Sequence, residues 1–213
     1  MCITYCAASQ LLPASTAVLA ALGVRILLTG ALHEDGLADF CDGMGGGRDR
    51  AHTLNIMKDS HIGTFGVLGL IIYALGMYSL LSTLSTHPAG LVCTMMLTAD
   101  VWSKSCAAML TGQLPYARRE EEAKMRVVYA PVQWGWQVMR TILAMTPVVC
   151  LCFWLGCTPH PMAMAAPLLT ELLMMSWMRR RLQGYTGDCC GATFLLCEAS
   201  FYVALAIALG IGH

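Results

Sequence analysis

The chain has 213 residues, 57% of them hydrophobic and only 12% charged, and its 13 basic and 13 acidic side chains cancel. Soluble domains carry about 25% charged residues, so this composition excludes an ordinary soluble domain. It predicts an all-α, polytopic integral membrane protein built as one domain over residues 1–213. Zero net charge gives no reason to expect a nucleic-acid partner.

Residues 1–9 hold no Lys or Arg, unlike the start of a secretory signal peptide. The first apolar segment of spanning length is 11–32. Others follow at 62–84, 89–112, 137–157, 162–178 and 193–212, which predicts about six transmembrane helices in one bundle. The connections alternate. Residues 33–61, 113–136 and 179–192 are polar, whereas 85–88 and 158–161 are short and hold no Lys or Arg.

The first polar segment, read as a loop, carries the densest chemistry. It opens His33-Glu34-Asp35-Gly36-Leu37-Ala38-Asp39-Phe40-Cys41-Asp42-Gly43. Asp35, Asp39 and Asp42 fall at i, i+4 and i+7, so on a helix they share one face. Like charges so placed repel by about 0.2–0.5 kcal/mol per pair, which a divalent cation relieves. Hard cations such as Mg²⁺ take oxygen ligands and bridge to substrate phosphates. The plain alternative is a solvated acidic helix end.

Downstream lie Gly45-Gly46-Gly47-Arg48-Asp49-Arg50 and then Lys58-Asp59-Ser60-His61-Ile62-Gly63-Thr64. Lys58, Ser60 and Thr64 stand where a helix should begin, and a helix N-terminus suits phosphate. Ordinary capping by Ser60 or Asp59 is the competing reading. At 29 residues the 33–61 segment is too long for a mere connector. The second polar segment offers Arg118 and Arg119 as a bidentate phosphate clamp. The third offers Asp188 within Gly184-Tyr185-Thr186-Gly187-Asp188, which otherwise reads as a turn.

Ten of the 13 Lys and Arg residues lie in the three polar segments. The positive-inside rule places those segments in the cytoplasm and both ends of the chain outside. Trp134, Trp136 and Trp177 fall near the same boundary, as an interfacial belt would. Within the spans, Asp100 and Lys104 are i, i+4 and can neutralise each other. Arg25 either snorkels or pairs, with Glu171 as one candidate. The 11 cysteines include no CxxC; Cys150/Cys152 and Cys189/Cys190 are too close for zinc pairs, and no structural disulfide is expected.

In order along the chain, these residues resemble the cobalamin synthase family, adenosylcobinamide-GDP ribazoletransferase. Three stretches carry the resemblance. The strongest runs from Thr29-Gly30 through His33, Asp35 to Asp39 and Asp42-Gly43, then Arg48-Asp49-Arg50 and Ile56 to Gly66. Ser103-Lys104 with Tyr116-Ala117-Arg118 forms the second. Thr186-Gly187-Asp188, Gly191-Ala192 and Glu198 form the third. Departures are Lys104 where the family has Arg, Leu195 where Glu is expected, and Glu120-Glu121-Glu122 after the Tyr-Ala-Arg stretch. An N-terminal region with another membrane segment and an Arg-Leu-Pro motif is also missing, so the chain reads as N-terminally short.

The resemblance implies a phosphotransferase of late cobalamin biosynthesis in the cell inner membrane. Its substrates would be adenosylcobinamide-GDP and α-ribazole or α-ribazole 5′-phosphate, with GMP released. It implies Mg²⁺ on Asp35, Asp39 and Asp42. His33, Asp42 or Asp59 would take the hydroxyl proton. Arg48, Arg50 and Lys58 would hold phosphate oxygens, with Ser60, Thr64, Lys104, Arg118, Thr186, Asp188 and Glu198 also facing substrate. Oligomeric state is left open. Two rivals remain. A CDP-alcohol phosphotransferase would show an Asp-Gly-x-x-Ala-Arg pattern, but Asp39 follows Ala38 here. A divalent-metal transporter would line its path with Asp100, Lys104 and Glu171, yet no internal repeat is visible.

Overall fold

A computed structural model describes residues 1–118, 133–156 and 158–210, and among them the regular elements are all α-helices. They are α1 (Cys2–Ala8), α2 (Ala14–Thr29), α3 (Leu32–Gly46), α4 (Arg50–Ile56), α5 (Thr64–Leu84), α6 (Ala89–Gln113), α7 (Trp134–Trp154), α8 (Pro161–Arg181) and α9 (Gly187–Ala208). Among the described residues each of the six apolar segments therefore contains one long helix, α2 or one of α5–α9. Arg119, Lys124, Arg126 and Glu120-Glu121-Glu122 lie outside the described residues, as do Cys157 and the Trp134 side chain.

Among the described residues three helices are long and apolar enough to cross a membrane alone: Thr64–Leu84, Gly135–Trp154 and Gly187–Ala208. A fourth span results if α2 and α3, bent by 86°, count as one. The others fall short of that standard for visible reasons. α2 has 16 residues. Asp100, Lys104 and several hydroxyls dilute α6, and Glu171 with two prolines dilutes α8. Broad apolar faces remain exposed, such as Ile72 and Leu75 on α5 and Leu143 and Phe153 on α7. This architecture fits a helical membrane protein.

The expected first loop is a correction: 33–61 is mostly helix, as α3 and α4. Apolar content marks what lipid or core will bury, so it overlooked a polar amphipathic helix. Gly30 and Ala31 produce the bend, both left-handed at φ 61° and 57°. The Ala31 N–H reaches back to the Ile26 carbonyl at 2.9 Å and closes the end of α2. α3 then lies across the ends of α9 and α5, burying Leu37, Phe40 and Met44 and leaving Asp35 exposed.

Glycines set how closely α3 sits. A Cβ on Gly36 would stand 3.0 Å from the Asp188 carbonyl oxygen, and one on Gly191 3.3 Å from the His33 carbonyl oxygen. The α3 and α9 backbones thus touch where the acidic run begins.

The described parts of the three polar segments meet at one end of the bundle. Tyr116 and Tyr185 form an isolated bridge, with Ala117 N–H donating to the Tyr185 carbonyl at 2.8 Å and Tyr185 N–H to Pro115 at 3.0 Å. Arg50 donates to the carbonyls of Leu182 (2.7 Å) and Ala117 (2.8 Å). Arg181 donates to the Gly47 carbonyl at 2.7 Å. Among the described residues the opposite end holds α1, the turns 9–13 and 85–88 and residues 155–156 and 158–160, and no Lys or Arg.

Candidate active site

Asp35 and Asp39 occupy one side of α3, Asp35 exposed and Asp39 half-buried. Beneath them the Gly36–Gly191 crossing brings up the start of α9. Thr186 caps that helix, its hydroxyl accepting from Cys189 N–H at 3.4 Å and lying 3.2 Å from the Asp188 carboxylate. Arg118 reaches the same carboxylate oxygen at 3.4 Å. The Arg118 Nε is buried with no hydrogen-bond partner, so its guanidinium still has donor capacity. Arg118, Thr186 and Asp188 are therefore joined at the start of α9, where the α3 backbone at Gly36, next to Asp35, packs against Asp188.

Asp42 is turned elsewhere. One of its oxygens accepts from Gly63 N–H at 2.6 Å and the other from Gly66 N–H at 2.8 Å. It caps α5 from a different helix, at the end where the peptide dipoles favour an anion. Neither Ser60 nor Asp59 supplies that cap. A Cβ on Gly66 would collide with the Asp42 carboxylate, so glycine admits the carboxylate there. Among the described residues no three His, Cys, Asp or Glu side chains are grouped to hold a metal ion. The acidic run leaves Asp35 exposed and Asp39 half-buried, with Asp42 engaged as a helix cap. Magnesium commonly binds one or two carboxylates and completes its shell with phosphates and water, so the donor set fits such an ion.

The Asp42 cap predicts a paired result. Asp42→Asn and Gly66→Ala should each lower stability by about 1–3 kcal/mol, read as an earlier thermal melt in detergent. The Mg²⁺ concentration needed for activity should stay unchanged. A variant that melts like the parent but needs more Mg²⁺ would return Asp42 to the metal.

Other predicted residues serve varied ends. Asp49 caps α4, accepting from His52 N–H at 2.9 Å, and Arg50 is the tether described above, while Arg48 is exposed. Lys58, Asp59, Ser60 and Thr64 are exposed around the start of α5. Asp59 accepts from the His61 backbone at 3.1 Å and pairs with its ring at 2.6 Å. Those bonds hold the Asp59 carboxyl below the usual carboxylate range. It is thus ionised at neutral pH and would lose that form only below the ordinary carboxylate pKa.

His33 packs edge-on against Phe194, ring centroids 4.7 Å apart. Lys104 sits over the same ring at 5.1 Å and holds both Asp100 oxygens at 2.8 Å, as the i, i+4 spacing predicts.

Glu198 is fully buried and takes Arg25 Nη1 at 2.6 and 2.9 Å. Tyr73 donates to Glu198 at 3.2 Å, and Arg25 also reaches Tyr73 at 2.9 Å and Glu34 at 3.5 Å. Arg25 thus pairs with Glu198 rather than Glu171. Sequence reading missed Glu34, Tyr73, Arg181 and Phe194. Only the i, i+9 spacing of Arg25 and Glu34 was there to be found, and it crosses the α2–α3 bend.

These elements define a helical membrane protein with an acidic helix and a buried arginine brought together at one end. The chain belongs to the cobalamin-5-phosphate synthase family, whose model matches residues 1–206. An adenosylcobinamide-GDP ribazoletransferase of Polaromonas sp. is 36% identical over 197 residues, covering 86% of this chain and 70% of that protein. One from Vibrio cholerae serotype O1 is 36% identical over 203 residues, covering 95% and 76%. One from Leptothrix cholodnii is 37% identical over 207 residues, covering 92% and 75%. No solved structure matches.

Proposed function

We propose that this protein joins α-ribazole, or its 5′-phosphate, to adenosylcobinamide-GDP and releases GMP, giving adenosylcobalamin or its phosphate. The ribazole hydroxyl attacks the cobinamide-side phosphorus, and the bond from that phosphorus to the GMP oxygen breaks. One observation carries the reading beyond the names of relatives. The Gly36–Gly191 crossing packs the α3 backbone next to Asp35 against Asp188, whose carboxylate Arg118 holds, so anionic and cationic groups lie at one bundle end.

Asp35 and Asp39 would hold Mg²⁺, which when bound would supply charge neutralisation for the diphosphate. Arg118 donates to phosphate oxygens and is oriented by Asp188. Arg48 and Lys58 are exposed and able to follow the nucleotide end of the substrate. The Asp59 carboxylate, ionised at neutral pH, or His33 accepts the hydroxyl proton. The bilayer is that of the cell inner membrane. The polar end faces the cytoplasm, because Arg48, Arg50, Lys58, Arg118 and Arg179–Arg181 all lie there and the other end has no Lys or Arg among the described residues.

The test is direct. Protein in lipid nanodiscs is given adenosylcobinamide-GDP, α-ribazole and Mg²⁺, and GMP release is followed. GMP appearing with the joined corrinoid is the expected result. No GMP, CMP release from a CDP-alcohol donor instead, or cation flux in sealed vesicles without GMP release would each overturn it.

A further inference from the structure

The end of the bundle away from the polar segments carries a thiol cluster that the proposed reaction does not use. Cys2 and Cys6 lie one turn apart on α1, and Cys93 lies in the first turns of α6. The Cys6 and Cys93 sulfurs stand 2.9 Å apart. Cys2 and Cys93 each place a sulfur 3.5 Å from the other's backbone carbonyl oxygen. α1 is seated by Tyr5, whose ring is 2% exposed within the core. Cys6 is exposed and Cys93 half-buried, so a soluble reagent can reach the pair. No sequence spacing links residues 6 and 93.

A disulfide bond is about 2.05 Å long, so these sulfurs need to approach by less than about 1 Å. The orientation proposed above puts this end outside the cytoplasm, where disulfides form and persist. We propose that Cys6 and Cys93 form a disulfide that fastens α1 to α6 on the outward end. This rests on the proposed orientation but not on the proposed chemistry.

In the step, a thiolate of one cysteine attacks an external disulfide oxidant and forms a mixed disulfide. The second cysteine displaces the oxidant sulfur. Two electrons and two protons leave the pair, and the oxidant departs as its dithiol. Cys2 is near enough to compete, which the test addresses.

Full-length protein in membranes is acid-quenched, blocked with N-ethylmaleimide and digested with or without prior reduction. Mass spectrometry should show a Cys6–Cys93 linked peptide that vanishes on reduction, with two fewer alkylated thiols before it. Cys6→Ser and Cys93→Ser should each abolish the link, Cys2→Ser should keep it, and GMP release should be unchanged in Cys6→Ser. Complete alkylation of Cys6 and Cys93 without reduction would overturn the proposal, as would a link from Cys93 to Cys2. A membrane-impermeant maleimide applied to intact cells separates the causes of failure. If unlinked Cys6 is labelled, the orientation stands and the pairing fails; if it is shielded until lysis, the orientation has failed as well.

Discussion

Asp35→Asn and Asp39→Asn should each slow GMP release by about 10²–10³-fold, with the deficit partly recovered at high Mg²⁺. The magnitude follows from charge stabilisation worth several kcal/mol and about 1.36 kcal/mol per tenfold in rate. Asp35 is exposed on the side of α3 away from its packed residues, so its substitution leaves the fold intact and the loss reports on chemistry. Chelation with EDTA should abolish the parent's activity, and added Mg²⁺ should restore it. Parent rates from both variants at limiting Mg²⁺ would dispose of the acidic pair as the metal site.

Arg25→Ala should prevent the protein from folding stably. Glu198 is fully buried, and its pairing with Arg25 at 2.6 Å is its main compensation. Removing one partner of a buried pair costs about 3–5 kcal/mol, because a charge is left uncompensated, and whole domains are stable by only about 5–15 kcal/mol. The expected readout is loss of monodisperse protein in detergent. Replacing the set together, as Arg25→Met with Glu198→Leu and Glu34→Gln, should recover the fold, since buried ion pairs often exchange for apolar groups at little cost. GMP release should return with it if Glu198 only holds the bundle. A folded but inactive triple variant would instead give Glu198 the substrate contact that the family resemblance implies.

Individual residues show how far the sequence reaches. The i, i+4 spacing of Asp100 and Lys104 named their pairing, because neighbours on one helix are fixed by its period. The same reasoning put Asp35, Asp39 and Asp42 on one side of a helix. It did not reveal that the α5 N-terminus lies against the last of them, which makes Asp42 a cap. The family resemblance gave Arg48 and Arg50 phosphate oxygens to hold. In the fold Asp49 is a helix cap and Arg50 binds two backbone carbonyls. The Asp49 cap had a legible signal, an Asp preceding a helix, that the apparent loop obscured.

The sequence by itself determined the helical membrane class, the positions of the six apolar helices, the clustering of basic residues in alternate connections and the family. Those properties are local, set by apolar content, helical period and motif order. The tertiary structure alone decided that Arg25 takes Glu198 and not Glu171, that α3 lies across the ends of two helices, and that Arg118 meets Asp188. The physical reason is that period tells which side of a helix a residue occupies, whereas its partner depends on bends and close approaches. Here those are the left-handed turn at Gly30–Ala31, between the consecutive helices α2 and α3, and the Gly36–Gly191 crossing, which joins segments far apart in the chain.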